Sequence, residues 1–281
     1  MNAANKARQG RKNSVNTFVV HHFDSSMATR SESVELPVED QRLAGTFLSP
    51  DTRMPGLLFV HGWGGSQERD LKRARGIAGL GCVCLTFDMR GHGGTLAQQQ
   101  GVTREDNLHD LIAAYDLLAR HPAIDRDAIA VVGSSYGGYL ASILTSLRPV
   151  KWLALRVPAL YRDAEWSRPK RELDRQDLQL YRNSPLTPAD NRALGACAAF
   201  RGDVLLVESE NDQLIPHTTL MNYRSAFVRA HSLTHRIIDG ADHALSGELC
   251  QQAYTSILVH WVTEMVVKSR VGSLSPEGRG G

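Results

Sequence analysis

Short blocks of consecutive apolar residues alternate along the chain with longer stretches whose apolar positions recur every three or four residues. Blocks of the first kind predict buried strands, and stretches of the second kind predict amphipathic helices. The pattern opens differently, because "SVELPV" (33–38) and "LAGTFLS" (43–49) suit an antiparallel hairpin. Apolar blocks then follow at 56–61, 82–88, 129–133, 152–157, 204–209 and 234–239. Helical spacing is read at 68–81, closed by Gly81, and again near 218–230. From Thr103, with Asp106 positioned for a capping box, Leu108, Leu111, Ile112, Tyr115 and Leu118 share one stripe. The last helix repeats Tyr254, Ile257, Leu258, Trp261, Val262 and Met265. Strands alternating with helices predict an α/β fold, a mostly parallel sheet with helices on both faces.

Residues 161–194 break this alternation. They are rich in Arg, Asp, Glu and Pro, with Tyr161, Trp166 and Tyr181 interspersed. A structureless loop of that length is unusual in a compact domain, so the segment predicts a small helical cap over the sheet's edge. Its aromatic residues suit either ordinary packing or contact with a substrate.

Composition narrows the classes. With 281 residues, 42% hydrophobic and 22% charged, the chain can bury a sizeable core, and no apolar run approaches the roughly 18 residues of a membrane span. The net charge of +2 is uneven: Lys6, Arg8, Arg11 and Lys12 against Asp24 give the first 26 residues +3, which leaves −1 for the rest. A nearly neutral body offers no electrostatic basis for binding nucleic acid. Cys82, Cys84, Cys197 and Cys250 do not form a disulfide framework. Cys82 and Cys84 read as buried strand thiols, with a metal pair as the alternative, and reduced thiols suit the cytoplasm. Residues 1–26 read as a disordered extension ahead of Met27, left by an upstream start codon or by cloning. A transit peptide is the other reading, although no amphipathic pattern supports it. A single domain is then expected over 27–268, with a disordered tail over 269–281.

The stretch "AVVGSSYGGYL" carries the first sign of chemistry. Gly133-Ser134-Ser135-Tyr136-Gly137 fits G-x-S-x-G with Ser135 at its centre, whereas Ser134 has Val132 two places before it. A strand that enters a helix through one sharp turn strains the central residue and crowds its neighbours, so glycines are needed at −2 and +2. The turn would lift the Ser135 hydroxyl above the sheet beside a helix N-terminus, where a developing anion is favoured. A serine hydroxyl needs a base, and the base needs an orienting acid, in the chain order Ser, Asp or Glu, His. Two later strand ends, "VLLVESENDQLIP" and "IIDGADHAL", supply Asp212 and His243, with Glu210 and Glu208 as lesser acids. His21, His22, His109, His235 and His260 read as structural, and Asp242 is too close in sequence to orient His243. "HGWGGS" (61–66) offers oxyanion donors: the backbone N–H of Trp63, paired with that of Tyr136. His61, Asp88, Arg90 and His92 then brace the site.

"HGWGG", "FDMRGHGGT", "GSSYGG", "ESENDQLIP" and "GADHAL", in that order, resemble the α/β-hydrolase family. "SYGGY" (135–139) resembles its prolyl oligopeptidase and acyl-aminoacyl peptidase branch. The size resembles small esterases and dienelactone hydrolase-like members, from which this chain departs in having serine where they use cysteine. No β-propeller precedes the hydrolase motifs in this sequence. The resemblance implies an eight-stranded, mostly parallel sheet with a cap after the sixth strand, and a Ser135-Asp212-His243 triad without metal or organic cofactor. It implies hydrolysis of carboxylic esters through an acyl-enzyme, with a small-molecule ester or a short peptide or amide as partner. A peptidase or amidase of the prolyl oligopeptidase type and an idle ligand-binding homologue are the alternatives. Oligomeric state is left open.

Overall fold

The computed structural model describes residues 30–49 and 54–272. The extension expected over 1–26 lies outside the described residues, as does the tail beyond 272. The chain begins with a hairpin, β1 (Arg30–Val38) and β2 (Gln41–Ser49), followed by β3 (Met54–Val60), α1 (Gln67–Ala78) and β4 (Val83–Phe87). Next come α2 (Arg104–Arg120), β5 (Ile124–Ser134), α3 (Tyr136–Leu144) and β6 (Trp152–Arg156). After α4 (Arg175–Arg182) and α5 (Arg192–Ala199) the alternation resumes with β7 (Asp203–Ser209), α6 (His217–Ala226), β8 (Ser232–Ile238) and α7 (Glu248–Gly272).

The eight strands form one sheet in the order β1-β2-β4-β3-β5-β6-β7-β8. β2 pairs antiparallel with β1 and with β4, and every pairing from β4 to β8 is parallel. Because side chains alternate across a strand, each apolar block feeds both faces. Leu58, Val131, Leu155 and Leu206 pack in one core with Leu111, Leu140 and Leu194 of α2, α3 and α5. Leu57, Ala130, Ala154 and Leu205 pack in the other with Ile77 of α1 and Leu258 and Trp261 of α7. Cys82 and Cys84 are buried in this second core, where burial pushes the Cys84 thiol up. Two-sided burial explains why the central strands read as continuous apolar runs.

One element differs from the sequence expectation for a local reason. β5 starts at Ile124 rather than 129, but its register with β3 jumps from Asp125 to Ile129. Residues 126–128 therefore leave the ladder, and their charged run "RD" hides the strand's beginning. α2 carries its capping box: the Thr103 hydroxyl accepts from the Asp106 N–H at 3.0 Å, and the Asp106 carboxylate accepts from the Thr103 N–H at 2.9 Å.

Between β6 and β7 the chain forms two 3-10 turns, Asp163–Glu165 and Lys170–Glu172, and then α4 and α5. This insertion is tied to the start of α2 by backbone. Pro169 bridges to Thr103, and the Lys170 N–H donates to Val102 O at 2.9 Å. Among the described residues, no helix is long and apolar enough to cross a membrane.

Candidate active site

Ser135 sits between β5 and α3 with φ 53° and ψ −114°, a backbone conformation that costs a non-glycine residue about 1–3 kcal/mol. Surrounding backbone holds it there. The Ser135 N–H donates to Arg156 O at 2.8 Å, while Ser135 O accepts from Tyr139 N–H at 3.1 Å and Ala159 N–H at 3.0 Å. The flanking glycines are needed for close approach, though not to each other's side chains as the motif alone suggests. A Cβ on Gly137 would lie 2.2 Å from Val60 O and 2.4 Å from His61 O, so its crowding comes from the end of β3. A Cβ on Gly133 would lie 2.7 Å from Gly137 O.

Of the three acids considered at the end of β7, only Asp212 reaches His243, at 2.6 Å between Oδ2 and Nδ1. Its other oxygen accepts from the Leu214 and Ile215 N–H groups, both at 2.8 Å, which fixes the carboxylate within its own turn. Glu208 instead bonds His217 Nδ1 at 2.6 Å, and Glu210 accepts from the Gly240 N–H at 2.7 Å. Asp242 accepts from the Ser246 N–H. The Asp212 side chain is 2% exposed and that of His243 21%, so the acid is shielded while the imidazole faces outward. With Nδ1–H directed at the carboxylate, Nε2 is the basic nitrogen.

Ser135 and His243 border one cleft of about 520 Å³, shared with Gly62, Trp63, Arg156 and Leu245. Among the described residues no hydrogen bond joins the Ser135 hydroxyl to His243. Catalytic hydrogen bonds are often long in a ligand-free site and tighten around substrate. A larger cleft of about 800 Å³ between β8 and α7 includes neither residue, so size does not locate the chemistry.

The loop after β3 forms the cleft's other wall. Its Gly65 N–H returns to Gly62 O at 3.0 Å, and its Gly64 N–H donates to His92 Nε2 at 3.0 Å. The Trp63 N–H is thereby left unclaimed among the described residues. Tyr136 begins α3, so its N–H lies outside the helical ladder. His61 and His92 are spent on this scaffold: His61 Nδ1 donates to Gly62 O at 2.8 Å, and its Nε2 accepts from the Met89 N–H at 3.1 Å. Burial, with His61 alongside, pushes His92 down to about 4, which keeps it neutral as an acceptor. Asp88 accepts from the Gln67 N–H at 2.7 Å, and Arg90 pairs with Asp110 at 2.9 Å.

One contributor is missed by motif reading. Arg156 ends β6; its carbonyl holds the Ser135 N–H, and its Nη1 donates to His243 O at 3.0 Å. A single residue thus ties the Ser135 turn to the His243 loop. It is buried, and burial lowers its guanidinium pKa. The signal was present in "WLALRVPAL", where one arginine interrupts an otherwise apolar block.

A model of the prolyl oligopeptidase family matches residues 72–269, a span that includes Ser135, Asp212 and His243 but not the loop around Trp63. The alpha/beta hydrolase ucsC of Acremonium sp is 38% identical over 116 residues, covering 38% of this chain and 22% of its own length. Among solved structures, a dienelactone hydrolase from Anabaena variabilis superposes with a TM-score of 0.60 at 18% identity, covering 84% of this chain and 98% of that one. The acylaminoacyl peptidase of Pyrococcus horikoshii gives a TM-score of 0.66 at 14% identity, covering 90% of this chain and 43% of that one. At these identities the two structures speak to fold.

Proposed function

The chain belongs to the prolyl oligopeptidase family of α/β hydrolases, and within it we propose that it cleaves carboxylic esters through an acyl-enzyme on Ser135. The observation that carries this reading is the 2.6 Å contact from Asp212 to His243, on a loop that borders the same cleft as the strained Ser135. In the first half-reaction His243 Nε2 takes the proton of Ser135 Oγ as Oγ bonds to the ester carbonyl carbon. The carbonyl oxygen becomes an oxyanion, met by the N–H groups of Trp63 and Tyr136. As the tetrahedral intermediate collapses, the C–O bond to the alcohol breaks and His243 gives that oxygen its proton. Water then repeats the sequence on the acyl group, losing its proton to His243, and Ser135 is regenerated. Asp212 stays ionised throughout, holding the ring and balancing the imidazolium.

Peptide or amide cleavage would use the same atoms on a poorer leaving group, and the family match supports it as the second reading. Comparing p-nitrophenyl acetate with N-acetyl-alanine p-nitroanilide separates the two. We expect kcat/KM for the ester to be higher by at least about 100-fold, the leaving group setting the barrier. Equal or reversed values would move the assignment to a peptidase. Absence of turnover on both would point to an idle binding homologue.

A further inference from the structure

Lys170, in the second 3-10 turn of the insertion, is absent from every motif that marks the site. Its ammonium lies 4.1 Å from the ring centroid of Trp63, 5.0 Å from that of Tyr136 and 5.3 Å from that of Tyr161. The rings form a continuous cage, Trp63 meeting Tyr136 at 5.5 Å and Tyr136 meeting Tyr161 at 5.7 Å, both edge to face. Among the described residues no ion pair joins Lys170 to a carboxylate; its partners are the Tyr161 hydroxyl, through a side-chain hydrogen bond, and the ring faces. Two cations also face the cage, Arg104 of α2 and Arg182 of α4, 5.4 Å and 5.0 Å from the Tyr161 centroid, while the Asp110 carboxylate acts on Tyr136 from α2. An ammonium over aromatic faces is held by the ring quadrupoles, and more strongly when water is excluded.

Two of the three rings belong to Trp63 and Tyr136, whose backbone N–H groups are assigned above to the oxyanion. Their needs differ. Tyr136 is fully buried and its hydroxyl donates to Asn107 Oδ1 at 3.0 Å, so it is already fixed. Trp63 is half-buried in a loop flanked by Gly62, Gly64 and Gly65, with Gly64 at φ 75°. Hydrogen bonds hold Gly62, Gly64 and Gly65 on either side of Trp63, and its ring also meets His92 edge to face at 4.9 Å, so the direction of the Trp63 N–H follows how that ring is seated. Small displacements of an oxyanion donor are costly, because the gain depends on preorganised direction and distance.

We propose that Lys170 is a positioning residue for the oxyanion hole, its ammonium clamping the Trp63 ring against Tyr136 so that the two N–H groups converge. This inference rests on the acyl-transfer reading of the same site. It also gives the insertion a task in catalysis: the segment reaches over the elbow and braces the loop after β3. The Lys170 backbone remains tied to Val102 O, so replacing its side chain leaves that tie of the insertion in place.

The test compares Lys170→Met, Lys170→Gln and Lys170→Arg with the wild type, each checked for its melting temperature. With p-nitrophenyl acetate we expect Lys170→Met to lower kcat about tenfold while KM stays within about threefold, and Lys170→Arg to recover most of the loss. Affinity for a trifluoromethyl ketone, whose adduct carries an oxyanion, should fall by the same factor as kcat/KM. Lys170→Gln repeats the measurement should the methionine variant fold poorly. The proposal is overturned if both neutral variants keep wild-type kcat and ketone affinity. A change confined to KM, or an arginine variant as impaired as the methionine one, overturns it equally. Ketone binding, followed through its fluorine resonance, reads Lys170 without turnover. Ester hydrolysis that survives Ser135→Ala would strike the acyl-transfer reading instead.

Discussion

Ser135→Ala is expected to lower the turnover of p-nitrophenyl acetate by at least about 10⁴-fold, with the melting temperature close to wild type. The loss follows from chemistry, since alanine keeps the Cβ and removes the only atom that can form the acyl bond. The fold should tolerate the change for equally local reasons. The contacts that hold the elbow are made by the Ser135 backbone, to Arg156, Tyr139 and Ala159, and alanine keeps all three. The left-handed φ of 53° costs alanine about what it costs serine. Gly137 offers the contrast, because there even a methyl would meet Val60 O at 2.2 Å. Parallel assays of ester turnover and thermal unfolding check both halves, and substantial residual turnover in well-folded Ser135→Ala would remove the nucleophile assignment.

Asp212→Asn should be nearly as severe, lowering kcat about 10⁴-fold while the loop keeps its shape. The asparagine oxygen can retain the bonds from the Leu214 and Ile215 N–H groups that Asp212 Oδ1 accepts now. That orientation turns the new amide N–H₂ toward His243 Nδ1. Nδ1 must then accept, so the ring proton moves to Nε2, which can no longer take a proton from Ser135. Glu210 cannot substitute, being committed to the Gly240 N–H. Steady-state kinetics at pH 8 provide the measurement, and a loss of less than tenfold would mean that another group orients the histidine.

Much of this site is legible in the sequence because its parts obey local rules. Gly133, Ser135 and Gly137 are set by one turn, and the apolar block before them identifies the strand that delivers them. The sheet's parallel core is legible for a similar reason, since burial on both faces leaves uninterrupted Val, Leu and Ile runs. The acid is less legible. Glu208, near the end of β7, and Glu210 and Asp212, just beyond it, fall within five residues of one another, and only the turn over 212–215 decides which one points at His243. Arg156 and Lys170 act across long sequence separations. Arg156 shows only as one arginine in an apolar block, which does not name its partner, since it meets His243 from 87 residues away; Lys170 reaches Trp63 from an irregular, charge-rich insertion. The start of β5 is obscured in the same way, because its ladder is interrupted where the charged residues fall.

The central claim is that Ser135 is an activated nucleophile, and covalent labelling tests it without a known substrate. The protein is treated with a fluorophosphonate, digested, and its peptides are mapped by mass spectrometry. The account predicts one adduct per chain, on Ser135, with no adduct in Ser135→Ala and slow labelling in Asp212→Asn. An unlabelled protein, or a label on Ser134 or Ser66 in place of Ser135, would contradict it.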